Sequence, residues 1–211
     1  MIVKIERLTD IFQYIGQYDG IIFDLDDTLY LEKDYVRSGY HEIARVLEKI
    51  PQAEERLWNF FESGKNAIDC ILEEEGIFSE ELKQKCLQAY RFQKPDIALE
   101  PEVKDLLARI KSEKQHLGII TDGRVEGQWA KIRALGLEKY TEDIMVTDEL
   151  GGAEYRKPCS LAYEQMQKKW KIPYTKMVYI GDNAKKDFVA PEKLGMGAIW
   201  LLNPNGLYYN K

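Results

Sequence analysis

Two hydrophobic periodicities divide the chain. Short continuous apolar runs recur at Ile21-Ile22-Phe23, HLGIIT (His116 to Thr121), DIMVT (Asp143 to Thr147), KMVYIGD (Lys176 to Asp182) and GAIWLL (Gly197 to Leu202). Runs of this kind fill strands that are buried on both faces. Between them, Val103 to Ile110, Val125 to Leu135, Leu161 to Trp170 and Lys185 to Leu194 carry apolar residues at helical spacing. Upstream, Ile2 to Ile5 reads as a short edge strand, and Leu8, Ile11, Phe12 and Ile15 follow at helical intervals. Strands separated by helices predict a doubly wound parallel sheet of the α/β, Rossmann-like class, with helices on both faces.

One stretch departs from the alternation. From Asp34 to about Pro95 only the helical period is present, as in Ile43, Val46, Leu47 and Ile50 or Ile68, Ile71 and Leu72, with breaks near Pro51, Ser63-Gly64 and Gly76. This predicts about four helices inserted after the first confident strand. The expected division is therefore residues 1–31 and 98–211 as the α/β core and 32–97 as an all-helical insert, placed where it can serve as a lid.

Chemistry gathers directly after the strands, the edge at which parallel sheets bind ligands. The first strand leads into Asp24, Asp26, Asp27 and Thr28, the second into Thr121, Asp122 and Gly123, and the next-to-last into Gly181, Asp182 and Asn183, with Asp187 just beyond. The loop GGAEYRKP adds Arg156 and Lys157. Carboxylates this close repel one another unless they are solvated or a cation offsets their charge. Taken singly, Asp122-Gly123, Gly181-Asp182-Asn183 and Lys157-Pro158 are ordinary turn chemistry. Their joint occurrence at successive strand ends is what favours a site.

Composition narrows the ligand. Among 211 residues, 45% are hydrophobic and 31% charged, the balance of a globular protein. Thirty basic against 36 acidic residues give a net charge of −6, which offers no general attraction to nucleic acid or to an anionic membrane. No apolar run approaches the roughly 20 residues needed to span a bilayer, so a cytoplasmic location is expected. Cys70, Cys86 and Cys159 form no CxxC pair and His41 and His116 lie far apart, so neither a disulfide framework nor a zinc site is written. An oxygen-liganded hard ion such as Mg²⁺ fits the acids.

DLDDTL, TDG, RKP and GDNAKKD, in this order and each after a strand, resemble the four motifs of the haloacid dehalogenase superfamily, and the helical insert resembles its cap. The resemblance spans Tyr18 to Leu202. It implies that Asp24 is a nucleophile and a metal ligand, and that Asp26 protonates the leaving oxygen and later activates water, with its backbone carbonyl on the metal. It further implies that Asp182 completes the protein's share of a Mg²⁺ shell. Thr121, the backbone around Asp122 and Gly123, and Lys157 would hold phosphoryl oxygens, with Thr28, Asn183 and Asp187 supporting these groups. The implied activity is a Mg²⁺-dependent phosphatase acting on a small soluble monoester, such as a sugar phosphate or nucleotide, through an aspartyl-phosphate.

Alternatives within the resemblance are a phosphomutase, a phosphonate hydrolase, or a non-catalytic module that binds a phosphometabolite. A carbon-halide dehalogenase needs no acid at position 26, because halide leaves without a proton. A dinucleotide-binding dehydrogenase is disfavoured, since no strand leads into a GxGxxG turn. Cys159 is expected as a small buried hydrophobe, and Arg124 is either a pocket residue or a solvated arginine at a helix start. Tyr30, Tyr35, Tyr40, Trp58 and Tyr90 are expected in the core, with a place lining a substrate pocket as the alternative. Oligomeric state is not legible in the sequence.

Overall fold

The computed structural model describes residues 2–113, 115–207 and 209. The chain divides into two compact units, Met1–Glu32 with Ala98–Lys211, and Lys33–Ile97. In the first, six parallel strands form one sheet: β1 (Ile2–Ile5), β2 (Gly20–Phe23), β3 (His116–Thr121), β4 (Asp143–Val146), β5 (Met177–Gly181) and β6 (Gly197–Leu201). Their order across the sheet is β1-β6-β5-β2-β3-β4. From β2 the chain winds one way through β3 to β4, then returns past β2 to β5 and continues to β6. The order therefore reverses beside β2, and the carboxyl ends of β5, β2 and β3 lie next to one another at the switch point.

The central strands are apolar because both their faces are covered. Ile21, Ile22 and Phe23 are fully buried, as are Val178, Tyr179 and Ile180 of β5. Register aligns Phe23 with Ile119 on one side and Ile180 on the other, which brings Asp24, Thr121 and Asp182 to the same edge. The flanking helices are α5 (Pro101–Ser112), α6 (Val125–Leu135), α7 (Leu161–Trp170) and α8 (Val189–Leu194), numbered after the four of the second unit. Met166 and Trp170 of α7 pack on the sheet where Gly118 leaves room, since a Cβ there would meet Met166 at 2.9 Å.

The helix expected over Lys185 to Leu194 is shorter than its sequence pattern. It begins at Val189, because the preceding residues fold as a turn held by Asp187 and Asn183. The Asn183 N–H donates to Asp187 Oδ2 at 2.9 Å, and the Lys185 N–H donates to Asn183 Oδ1 at 3.1 Å. These side chains satisfy the backbone locally in place of a helical turn.

The second unit contains α1 (Glu32–Val46), whose first residue belongs to the first unit, α2 (Ala53–Glu62), α3 (Ala67–Glu74) and α4 (Glu80–Arg91). Asn66 and Ser79 cap α3 and α4, accepting from the N–H groups of Asp69 and Leu82. Ile43, Leu57, Ile71, Leu72 and Cys86 form its buried centre. Tyr35 and Tyr90 pack edge to face, with centroids 5.7 Å apart. Among the described residues, no helix is long and apolar enough to cross a membrane.

Candidate active site

Asp24 follows β2 directly and is 4% exposed. Its N–H still donates to the Ile180 carbonyl of β5 at 2.8 Å, so the sheet fixes its backbone. Lys157, from the loop after β4, reaches across and donates through Nζ to Asp24 Oδ1 at 2.6 Å and to the Tyr179 hydroxyl at 2.8 Å. The same ammonium lies 2.9 Å from Asp187 Oδ1. Burial would discharge this lysine, but Asp187 and Asp24 outweigh it and hold its pKa well above the usual value. Burial acts in the other direction on Asp24, whose carboxyl is pushed up to about 6 despite the attraction of Lys157.

Asp26 lies in a tight nest of donors. Tyr30 Oη donates to Oδ1 at 2.5 Å, Lys131 Nζ to Oδ1 at 2.7 Å, and Gln128 Nε2 to Oδ2 at 2.9 Å. Burial disfavours the carboxylate, but the Lys131 charge and these hydrogen bonds overcome it and hold Asp26 below the ordinary carboxyl range. Asp27 adopts a left-handed backbone, φ 54°, a conformation that costs a non-glycine residue about 1–2 kcal/mol. Its buried carboxylate offsets that cost by accepting from the Glu32 N–H at 2.9 Å and the Leu207 N–H at 2.7 Å. Asn203 Nδ2 donates to the Asp27 carbonyl at 2.7 Å, so residues after β6 brace the loop that carries Asp24 and Asp26.

Asp182 ends β5. Among the described residues its carboxylate makes no hydrogen bond or ion pair, and its surroundings push its pKa up to about 8. Burial is the first cause, followed by the charges of Asp24, Asp187 and Asp27. Asp24, Asp182 and Asp187 each bring a carboxylate oxygen within 4.8 Å of the others. Glycine at 181 permits this, because a Cβ there would stand 2.5 Å from Asp187 Oδ2. Three clustered oxygens, one of them from an unpartnered acid, suit a hard divalent cation.

The remaining expected residues fall around these. Thr121 is 1% exposed and its hydroxyl accepts a short hydrogen bond from Gln128. Asp122 accepts from the Thr147 hydroxyl, the Lys157 N–H and Lys186 Nζ, each at 3.0 Å. Gly123 has φ 138°, a conformation open to glycine, and turns the chain into α6. Thr28 is buried, and Asn183 lines the cavity described next.

A 280 Å³ cavity opens over these groups, lined only by polar side chains. Asp24, Asp26, Asp122, Asp182 and Glu32 supply five carboxylates, and Arg156, Lys157 and Lys186 supply three cations, a formal −2 that one divalent ion would cancel. The Glu32 carboxyl is pushed up to about 7, by burial first and then by the nearby charge of Asp26, against the attraction of Lys131.

Of the two places open to Arg124 the structure gives the solvated one: it is exposed at the start of α6 and does not line the cavity, whereas Arg156 does, held by two 2.7 Å hydrogen bonds to Asp148. One sequence expectation is corrected. Cys159 is only partly buried. Sequence reasoning also missed Gln128, Lys131, Glu32 and Lys186, and placed Tyr30 in the core without its bond to Asp26. A signal for two of them exists: Gln128, Lys131, Ile132 and Leu135 share the buried face of α6 at helical spacing. A lysine and a glutamine on such a face need buried partners.

Comparison with known proteins agrees with this architecture. The profile of the family described as haloacid dehalogenase-like hydrolase matches residues 21–201. A glyceraldehyde 3-phosphate phosphatase of Methanocaldococcus jannaschii is 28% identical over 200 residues, covering 87% of this chain and 84% of that protein. A protein of the same name from Methanothermobacter thermautotrophicus is 24% identical, covering 85% and 84%. Among solved structures, magnesium-bound YfnB of Bacillus subtilis superposes with a TM-score of 0.65 at 21% identity, covering 88% of this chain and 87% of its own. A HAD-superfamily hydrolase of Geobacter sulfurreducens gives 0.65 at 16% identity, covering 90% and 89%.

Proposed function

This chain belongs to the haloacid dehalogenase-like hydrolases, and on that footing we propose that it is a Mg²⁺-dependent phosphatase that forms an aspartyl-phosphate on Asp24. The observation that carries the proposal is the convergence on one cavity of Asp24 with Lys157 2.6 Å away, Asp26 in its nest of donors, and the unpartnered Asp182. Asp24 and Asp182, with the Asp26 backbone carbonyl, would hold the ion, and Asp187 would stand behind them. Bound there, Mg²⁺ neutralises the carboxylates and the phosphoryl oxygens.

The chain's own groups account for the rest. Lys157 stays charged in a buried setting and faces the transferring phosphoryl group, where transition-state charge must be stabilised. An Asp24 oxygen attacks phosphorus as the bond to the leaving oxygen breaks, and a proton from Asp26 goes to that oxygen. Asp26 then takes a proton from water; the resulting oxygen attacks phosphorus and frees Asp24 and inorganic phosphate. Against the effect of burial, Lys131 holds Asp26 ionised before substrate arrives. The proton it gives in the first step is therefore one that the phosphate monoanion of the substrate brings in and passes to it, and the proton it takes from water in the second leaves with the product.

The substrate class we infer is a short, hydroxylated monoester such as a triose phosphate. Its support is the charged and polar residues that line the cavity, among which the described residues include no aromatic ring to stack on a nucleobase, and the name shared by the relatives. A phosphonate hydrolase would need a reactive cap amine in an apolar setting, whereas Lys49, Lys65, Lys85 and Lys94 are exposed, Lys83 is paired with Asp69, and Lys33 is half-buried between the acids Glu32 and Asp34 in sequence. No observation favours a mutase or a binding module.

Phosphate release from glyceraldehyde 3-phosphate, longer sugar phosphates and nucleotides, each with Mg²⁺ and with chelator, tests the reading. Turnover is expected for the shortest esters, with Mg²⁺ only. Asp24→Asn should lower it by about 10⁴-fold or more while the fold is kept. Turnover retained in that variant would remove Asp24 as nucleophile.

A further inference from the structure

Three buried side chains outside the proposed catalytic set converge on Asp26, and two of them come from one helix. Lys131 and Gln128 of α6 are 5% and 3% exposed, and Tyr30 is 7% exposed. Lys131 and Tyr30 share Asp26 Oδ1, while Gln128 takes Oδ2, so both oxygens are held. Gln128 also donates to the Thr121 hydroxyl and thus ties the proposed proton donor to a proposed phosphate contact. The turn at Gly123 makes room for it, because a Cβ there would stand 3.3 Å from Gln128 Cγ and Cδ.

We propose that Lys131 and Gln128 are positioning residues: through Asp26, Lys131 sets the line along which the proton reaches the leaving oxygen, and Gln128 keeps that line in register with the phosphoryl pocket. The inference rests on the reading of Asp26 as the group that protonates the leaving oxygen. A merely structural pair would be a poor use of a buried ammonium and a half-buried carboxylate, since desolvation offsets much of the attraction between them. What the pair supplies is fixed geometry. An aspartate has two side-chain torsions, and a carboxylate free to turn would leave the productive direction. Displacement of about 1 Å at a reacting group lowers rates by about 10²-fold.

The experiment compares Lys131→Met, Gln128→Leu, Asp26→Ala and the Asp26→Ala/Lys131→Met double variant on 2,4-dinitrophenyl, 4-nitrophenyl and phenyl phosphate in the presence of Mg²⁺. Thermal unfolding of each variant is recorded alongside. The dinitrophenolate departs without a proton, whereas phenolate needs one. Lys131→Met should lose about 10²-fold in kcat/KM on phenyl phosphate and less than about fivefold on the dinitrophenyl ester. The double variant should be no slower than Asp26→Ala, since both changes remove one function. Gln128→Leu should show the same leaving-group dependence and in addition weaken competitive inhibition by inorganic phosphate, which Lys131→Met leaves unchanged.

A uniform loss across the three esters, or losses that multiply in the double variant, overturns the proposal. Should Lys131→Met fail to fold, Gln128→Leu carries the same test, because it keeps the ion pair. If Asp26→Ala shows leaving-group dependence and neither α6 variant does, this inference alone falls. If Asp26→Ala shows none, the proton role of Asp26 falls, and this inference with it.

Discussion

Replacing Lys157 by Met isolates the electrostatics on which the site is built. The Lys157 ammonium is buried, 2.6 Å from Asp24 Oδ1 and 2.9 Å from Asp187 Oδ1, and Asp182 shares a 4.8 Å cluster of oxygens with both acids. Met keeps most of the volume and removes the only cation that contacts both Asp24 and Asp187 among the described residues. Removing one partner of a buried pair costs about 3–5 kcal/mol, a large part of the 5–15 kcal/mol that holds a typical domain together. At about 2–4 °C per kcal/mol for a chain of this size, Tm should fall by about 6–20 °C.

The loss should depend on pH in a defined direction. Asp24 already sits near 6 with Lys157 present, above its ordinary 3.8, so the folded protein binds this proton more tightly than the unfolded chain does. Such a group lowers stability as pH rises from about 4 through its folded value, and without Lys157 that value moves higher still. Differential scanning calorimetry in chelator at pH 5 and pH 8 reads the effect: a small difference between wild type and Lys157→Met at pH 5 and a large one at pH 8, partly reversed by Mg²⁺. A Tm difference that is the same at both pH values would refute the reasoning, because it would mean the lysine acts by packing and not by charge.

Other consequences can be checked independently. Asp182→Asn removes an acid whose pKa is pushed up to about 8, so it should flatten the decline in metal-free stability between about pH 4 and 8 and raise the Mg²⁺ requirement of turnover by at least about 10-fold; an unchanged slope in unfolding scans would count against it. Asp27→Ala loses two hydrogen bonds to a buried carboxylate and leaves a Cβ residue at φ 54°, which should cost about 2–5 kcal/mol in urea unfolding at constant m; a change below about 1 kcal/mol would show that the loop is held otherwise. Arg156→Ala should raise KM with little change in kcat, since Arg156 lines the cavity while fixed to Asp148 and touches none of Asp24, Asp26 or Lys157 in the described contacts; a selective loss of kcat would assign it to the transition state.

Much of the architecture was readable because its signals are local. Apolar runs such as Ile21-Ile22-Phe23, short and bounded by turn residues, read as strands with both faces covered, and the helical period across Val125 to Leu135 and Leu161 to Trp170 matches α6 and α7 at both ends. The acids at 24, 26 and 182 and the lysine at 157 were also legible, because parallel sheets bring the residue after each strand to one edge whatever the intervening helices do. Where a side chain could satisfy the backbone without a helix, the periodicity misled, as with Asn183 and Asp187 before α8.

The sequence by itself thus determined the elements, the edge on which the chemistry collects, and the charged groups that face one another there. Only the tertiary structure decided which face of α6 meets Asp26, that Arg156 and not Arg124 reaches the cavity, and that the residues after β6 return to brace Asp27. The physical reason is distance along the chain. Periodicity and turn chemistry act over a few residues, whereas Lys131 and Asp26 are 105 positions apart and meet only because the sheet order sets where α6 packs.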